Sequence, residues 1–294
     1  MPFSIKKKNR LSVEIFPLLP LLAVALAFEV VPLFQLLISG FRSDNGPGTG
    51  LSFENYIRVF TSRDSLCALK NSLVIAVVSS AIGIIIAYMV LRAVRKTSSG
   101  TRQRFTVLFS AVSNFSGVPL AFSFMLLLGN AGIITKLSEA LSGRAYAFDL
   151  YSGKGLMLLY VFFQIPLAAL LLMPAFDSVT HEMEDSSEML GASDGFFWRT
   201  VGLSVMLPSV CGTAVILFAN AVCAYATAYA LLMNNYPLLS LSISSAYTGD
   251  MVSKPGLGAA MSVILILTVC IVNTLSVIIM KRGTVWMQQK RQDA

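Results

Sequence analysis

Charged residues are scarce in this 294-residue chain, and that scarcity defines its class. Only 13% of its residues are charged, whereas ordinary soluble domains carry about a quarter. Apolar residues make up 55%, and the mean hydropathy is +0.73. These values exclude a soluble globular protein, a disordered chain and a nucleic-acid-binding domain, despite a net charge of +7. A basic excess on so apolar a chain instead indicates the cytoplasmic loops of a polytopic membrane protein.

Histidine, paired cysteines and nucleotide-binding motifs are also missing or rare. The chain has one histidine, His181, which we interpret as a solvated loop residue, and four cysteines without a CxxC pair. This pattern argues against a metal cluster, a disulfide framework and histidine-based catalysis. The phosphate-binding motif GxxxxGK[ST] is absent, so the chain cannot itself use ATP. We therefore expect it to contain no catalytic residue and to bind no metal or cofactor.

Long apolar runs, by contrast, recur along the chain. A helix that crosses a bilayer needs about 20 mostly apolar residues. Six stretches qualify, at residues 13–41, 72–91, 105–128, 155–176, 203–233 and 257–280. The first run follows a basic N-terminal segment and resembles a cleavable signal peptide, but it is too long for one, so we interpret it as a retained helix.

The positive residues indicate how these spans are oriented. The loop at residues 92–104, between the second and third spans, holds five lysines and arginines and no acid. Cytoplasmic loops of membrane proteins carry such an excess. We therefore expect this loop in the cytoplasm and, because the number of spans is even, both termini there as well.

The segment at residues 178–204, just before the fifth span, is predicted to be a helix–turn–helix. It holds five acids between residues 182 and 194. The first part is compatible with a helix, which Gly191 would end. Ser193 can cap a second helix with Asp194 in its first turn. The alternative is an ordinary solvated loop with interfacial aromatic residues.

The spacing within this segment is typical of one protein family. Asp185-Ser186-Ser187 is followed after three residues by Gly191, after nine more by Val201, then by Leu203-Ser204 and Pro208. This order resembles the Glu-Ala-Ala, Gly, aliphatic, Leu-Pro loop in the membrane subunits of binding-protein-dependent ABC importers. The departures are Asp for Glu, two Ser for two Ala, and Ser204 for Pro, and each keeps a helix–turn–helix possible.

Further patches extend the resemblance over most of residues 55–282. They are Asn71-Ser72-Leu73 in the second span, Phe163-Gln164-Ile165-Pro166 in the fourth, and Ala219-Asn220-Ala221 with the run AYATAYA at 224–230 in the fifth. Within the family, Leu190-Gly191-Ala192-Ser193 is similar to permeases for polyamines, ferric iron, sulfate and phosphonates. The fifth-span pattern is similar to spermidine/putrescine permeases.

The resemblance implies an all-α, polytopic membrane protein with the MetI-like ABC permease fold. Residues 1–294 would form one transmembrane permease domain in the bacterial inner membrane, with six transmembrane helices. A cytoplasmic coupling helix–turn–helix at 178–204 would precede the fifth span. The implied partners are a cytoplasmic ABC ATPase dimer that binds ATP and Mg, a second permease subunit (a paralogue or a second copy) and an extracytoplasmic solute-binding protein. The implied substrate is a polyamine.

By the same resemblance, the coupling segment would dock into a groove of the ATPase. The residues expected to dock are Asp185, Ser186, Ser187, Glu188, Leu190, Gly191, Ala192 and Ser193, with Phe196 and Phe197 as packing anchors.

Polar residues inside the spans are candidates for a translocation path, because such groups are costly in lipid and usually face a cavity or another helix. The candidates are Glu29, Asn114, Gln164, Asn220, Tyr225 and Thr227. For a polyamine, Glu29 and Asp250 would supply carboxylates, and Tyr225 and Tyr229 would supply aromatic faces. The alternative for Glu29 is a hydrogen bond at a helix interface or a place in a wet outer vestibule, and polar residues such as the others more often form hydrogen bonds between packed helices than contact substrate.

Two other classes of function stay open on sequence alone. An ion-coupled secondary transporter would need titratable residues inside the membrane and often has inverted repeats. Glu29 is one candidate for such a residue, and no convincing repeat relates the two halves of the chain. A non-transporting scaffold subunit is the other alternative.

Overall fold

The computed structural model describes residues 19–44, 51–143, 148–249 and 253–292, with side chains described from Pro20 to Lys281 except that of Ser142. Its regular structure is helical, and the one β-feature in these ranges is an isolated bridge between Arg42 and Leu51. The helices are α1 (Leu19–Ala25), α2 (Val31–Gly40), α3 (Glu54–Thr61), α4 (Arg63–Arg95), α5 (Ser99–Ser113), α6 (Val118–Leu128), α7 (Ile133–Ser142), α8 (Gly153–Ser178), α9 (His181–Met189), α10 (Asp194–Phe197), α11 (Leu203–Cys223), α12 (Ala226–Leu232), α13 (Leu239–Thr248) and α14 (Pro255–Gln292).

Six helical stretches in the described ranges are long and apolar enough to cross a membrane, which confirms the predicted number of spans. They are Pro20–Gly40, Arg63–Arg95, Val118–Leu141, Gly153–Ser178, Asp194–Cys223 and Pro255–Lys281. Residues 13–18 of the first predicted span, the basic N-terminal segment and Asp250 lie outside the described residues.

The predicted third span, one continuous helix over 105–128, is wrong in its bounds, because the structure has a helix break there and the candidate span is Val118–Leu141. Helix α5 ends at Ser113, and α6 begins only at Val118. Gly117 between them has φ +73°, a left-handed conformation that a helix does not contain and that glycine adopts without strain. Pro119, in the first turn of α6, has no N–H to continue a helix from the preceding turn. Both residues are present in the sequence, but the prediction of a continuous helix relied on the apolar character of the run and did not take them into account.

The predicted fifth span, a single helix over 203–233, is interrupted as well, and the candidate span in the structure is Asp194–Cys223. Helix α11 ends at Cys223, Ala224 is extended, and α12 starts at Ala226. The carbonyl oxygen of Ala224 accepts hydrogen bonds from the Tyr160 hydroxyl at 2.9 Å and the Ser240 hydroxyl at 3.3 Å. These side chains replace the helical partner that the break removes, as a non-helical backbone inside a membrane requires.

Helices α4, α8 and α11 form the centre of the bundle. Each packs against the other two, while α5 packs on α8, and α14 packs on α11 and α2. Small residues on one face of α4 permit the close approach to α8. At Gly83, a Cβ would lie 3.2 Å from the Gln164 Cβ, so the two backbones are nearly in contact. The buried small residues of this face are Ser72, Ala76, Ser79, Ser80, Gly83 and Ala87.

The first span is the least covered part of the bundle. In its apolar window no residue is buried, and only α2 packs on another helix, α14. A π-helical turn at Leu26–Val30 separates α1 from α2, and Glu29 lies exposed within it.

Candidate functional site

Residues 178–204 form the predicted helix–turn–helix. Helix α8 ends at Ser178, α9 runs from His181 to Met189, and α10 begins at Asp194. A π-helical turn, Trp198–Gly202, then leads directly into α11. The segment is therefore attached to a membrane-crossing helix at each end. We call this end of the bundle the loop end and the opposite end the far end.

Gly191 ends α9 in the way that the sequence predicts. Its φ is +80°, its N–H donates to the Glu188 carbonyl at 2.8 Å, and the Ala192 N–H donates to the Ser187 carbonyl at 3.1 Å. These two bonds form a Schellman motif, which requires a left-handed residue at this position. Ser193 then accepts a hydrogen bond from the Phe196 N–H at 3.4 Å and caps α10.

Ion pairs join the segment to the basic C-terminal end of α4 and to Lys96, which follows it. Arg92 and Lys96 both approach Asp194, at 2.6 and 3.5 Å, and Arg95 lies 3.5 Å from Glu184. The Arg92 and Asp194 side chains are 33% and 54% exposed, so the attraction between them is worth at most about 1 kcal/mol. The bridges therefore define the orientation of the helix–turn–helix more than they stabilise it.

Trp198 is the apolar anchor of the segment. It is 1% exposed and stacks on Phe176 with ring centroids 5.5 Å apart. The Arg95 guanidinium lies 5.2 Å from the centre of its ring, and the Tyr88 hydroxyl donates to its carbonyl oxygen at 3.3 Å. One side chain thus packs between α4, α8 and the start of the fifth span.

The tip of the segment exposes apolar side chains. Met189 is 90% exposed, Leu190 88% and Phe196 61%, whereas Phe197 is buried. Beside the tip, a groove of about 700 Å³ is lined by Met183, Leu190, Phe196 and Val201 together with Ser186 and Ser187. Of the two predicted packing anchors, Phe197 packs within the chain and Phe196 does not. The other predicted docking residues all lie at the surface, with Ser187 and Ala192 half-buried.

The candidate path residues fall into two groups. Asn114, Asn220 and Tyr225 are exposed, as is Glu29 on the first span. Gln164 and Thr227 are buried. Gln164 is wholly enclosed between α4 and α8, where its amide nitrogen donates to the Ser79 hydroxyl at 2.8 Å.

The two helix breaks, at Gly117 and Ala224, lie side by side. A Cβ at Gly117 would be 3.8 Å from the Ala226 Cβ, and α6 packs on α12. Next to this contact, the Tyr225 and Tyr229 rings stack with centroids 5.3 Å apart, and the Ser244 hydroxyl donates to the Tyr225 hydroxyl at 3.1 Å. The structure thereby gathers exposed aromatic and hydroxyl groups at two helix interruptions.

The chain matches no known protein-family model. Over 110 residues it is 26% identical to the thiamine transport system permease protein ThiP of Escherichia coli (strain K12). That stretch is 37% of this chain and 20% of ThiP, so the chain spans about a fifth of the length of the curated relative it matches.

Solved structures match over most of the chain. A bacterial ABC transporter involved in the import of the acidic polysaccharide alginate superposes with a TM-score of 0.68 at 17% identity, covering 91% of this chain and 98% of the other. A bacterial alginate ABC transporter in complex with an alginate-pentasaccharide-bound periplasmic protein gives 0.72 at 15% identity, over 91% and 93%. The inward-facing MetNI methionine ABC transporter gives 0.54 at 16%, over 74% and 95%. The fold is that of an ABC importer permease.

Within this permease fold, sequence reasoning missed Trp198 and the arginines that contact it. In the sequence, Trp198 is one of three consecutive aromatic residues, and nothing local indicates that it is buried. Arg92 and Arg95 were interpreted only as indicators of membrane topology. The acidic segment following a basic loop was an available signal, because opposite charges at neighbouring loops of one membrane face attract each other.

Proposed function

We propose that this chain is the membrane-spanning permease subunit of an ATP-driven ABC importer and forms the path for a small solute delivered by an extracytoplasmic binding protein. The observation that supports the proposal most is the helix–turn–helix at 178–204, which has an apolar tip and continues into membrane-crossing helices at both ends. Large exposed apolar side chains on a rigid support mark a protein–protein interaction site.

In this proposal the tip docks into a groove of an ATPase dimer that binds ATP and Mg. Closure of the dimer would displace α9 and α10 as one body, because the Schellman turn and the Ser193 cap hold them together. Trp198 and the Arg92–Asp194 pair would pass that displacement to α4 and α8. Such coupling needs an element with two arrangements, and both the ATPase site and the transport path must shift the equilibrium between them. Here the bundle would be that element and would alternate between inward- and outward-open states.

The path in this proposal runs past the two helix breaks that lie side by side. Asn114, Asn220 and Tyr225 are exposed there, in a monomer whose second permease subunit would complete the enclosure. Gln164 and Thr227 act as packing residues, because their side chains are buried within the chain. The loop end is cytoplasmic, as the basic residues of 92–104 predict.

A polyamine remains our proposed substrate, with ferric iron, sulfate or phosphonate as the alternatives from the resemblance. The stacked Tyr225 and Tyr229 rings support a cationic solute, since aromatic faces attract ammonium groups. The similar proteins are named for thiamine, alginate and methionine, which differ in charge and so favour no single class of substrate. ATPase stimulation of the assembled transporter by a panel of these solutes would distinguish them.

The test of the function is co-purification from the native membrane in mild detergent. An ATPase should accompany the wild-type chain, and Leu190→Asp should release it, because the charge would sit at the docking tip. The matched control is Leu51→Asp, since Leu51 is 78% exposed at the far end and a charge there should leave the ATPase bound. If the wild type purifies without any ATPase, the proposal fails, and ion coupling through Glu29 becomes the hypothesis to test.

A further inference from the structure

A cavity at the far end of the bundle plays no part in the proposed function. It has a volume of about 590 Å³ and lies between the starts of α4 and α8, the two helices whose other ends hold Trp198. Helix α4 contributes Lys70, Asn71, Val74 and Ile75, and α8 contributes Lys154 and Met157.

Both walls of the cavity follow the same order from charge to hydrocarbon. On α4, Val74 lies one helical turn beyond Lys70 and farther into the membrane-crossing part of the helix. On α8, Met157 follows Lys154 in the same way. On both helices the lysine therefore lies nearer the helix end, forming a cationic rim, and the apolar residues one turn farther into the candidate span form the floor.

The ammonium groups of Lys70 and Lys154 are the cations that line the cavity. Among the described residues, neither Lys70 nor Lys154 forms an ion pair or a hydrogen bond. Among the described residues that line the cavity, Asp149 is the one acid, and its carboxylate accepts the Tyr151 N–H at 3.0 Å. Two cations and one carboxylate leave a net positive rim.

We propose that this cavity binds an anionic phospholipid, with the phosphate between the Lys70 and Lys154 ammonium groups and the first part of an acyl chain along Val74, Ile75 and Met157. Basic residues near a membrane surface attract anionic lipids, and long lysine side chains extend toward the headgroup level. A soluble anion would satisfy the lysines but leave the apolar floor facing water, so the lining favours a ligand with both parts. The proposal does not rest on the transport function.

The test is lipid binding by the purified, delipidated chain, measured by native mass spectrometry. Phosphatidylglycerol and phosphatidylcholine with identical acyl chains are the probes. We expect the wild type to retain phosphatidylglycerol preferentially and Lys70→Gln or Lys154→Gln to weaken its binding by about fivefold each. The matched control is Lys136→Gln, because Lys136 is an exposed lysine on α7 that does not line the cavity, and it should leave binding unchanged.

Two further variants separate the headgroup from the acyl chain. Lys70→Arg with Lys154→Arg keeps both charges and should restore the preference, which guards against a loss caused by misfolding. Val74→Ser with Met157→Ser should weaken phosphatidylglycerol binding, because the floor would become polar.

Three results would overturn the inference. Equal retention of the two lipids by the wild type would show that charge does not select the ligand. Unchanged phosphatidylglycerol binding in the Lys70→Gln, Lys154→Gln double variant would locate the lipid elsewhere. Displacement of the lipid by an equal concentration of free glycerol phosphate would identify a site for a soluble anion instead.

Discussion

Gly191 is the residue on which the shape of the helix–turn–helix depends most directly. Its backbone has φ +80°, and a Cβ there would meet no atom within 4 Å. A substitution therefore strains the backbone without creating a clash, and for an L-residue the left-handed conformation costs roughly 1–2 kcal/mol.

We predict that Gly191→Ala will loosen the turn while Gly195→Ala will not. Gly195 is a matched control because it lies in the same segment, is equally open and has no positive φ. Hydrogen exchange of the Gly191 and Ala192 amides, which donate to Glu188 and Ser187, should accelerate about 5- to 30-fold in the first variant. Equal acceleration in both variants would contradict the role of the left-handed turn.

Gln164 shows how a polar residue inside a span can serve packing. Its side chain is fully buried, it donates to Ser79, and its amide oxygen has no hydrogen-bond partner within the described residues. We predict that Ser79→Ala will lower the free energy of unfolding by about 0.5–1.5 kcal/mol, because it leaves the amide nitrogen unpaired too.

The double variant Ser79→Ala, Gln164→Leu tests the same hydrogen bond by removing both of its partners. Replacing both partners by apolar groups removes the unpaired amide, so stability should return close to the wild-type value. Thermal unfolding in detergent provides the measurement. A double variant that is as unstable as Ser79→Ala alone would refute this account.

At the scale of elements, Trp198 attaches the helix–turn–helix to the bundle. It is buried against Phe176 and Tyr88, whereas its neighbour Phe196 is 61% exposed. We predict that Trp198→Ala will destabilise the chain by about 3–5 kcal/mol, the cost of deleting a large buried aromatic side chain. Phe196→Ala is the matched control and should change stability by about 0.5 kcal/mol or less. Thermal unfolding of both variants distinguishes the two, and similar losses would contradict the assignment.

The elements also show where local sequence signals succeed. The end of α9 at Gly191 and the start of α10 after Ser193 were predicted correctly, because a left-handed glycine and a serine cap act on the nearest few residues. The breaks at Gly117 and Ala224 were not predicted, because the surrounding residues are apolar enough for a continuous span. What makes the second break tolerable is Tyr160, which is 64 residues away along the chain.

At the scale of the whole molecule, the arrangement of the two ends can be tested directly. In a variant without the four native cysteines, we predict that Thr61→Cys and Met189→Cys will react with a membrane-impermeant maleimide from opposite sides of the membrane. Both positions are exposed, and they lie at the far end and the loop end. Right-side-out vesicles should label position 61, and inside-out vesicles position 189. Labelling of both positions from one side would refute the six-span arrangement.

Composition and short-range pattern alone determined the class of this protein, its number of spans and its helix–turn–helix. These properties depend on hydrophobic length, on glycine and on caps, which act within a few residues. The tertiary structure decided which polar residues are buried, where two spans break and how Trp198 joins α4 to α8. Those outcomes depend on partners such as Ser79 for Gln164 and Tyr160 for Ala224, which are distant in sequence and adjacent only after packing. Burial inside a membrane makes an unpaired polar group costly, and so the packed neighbours, not the local sequence, select these arrangements.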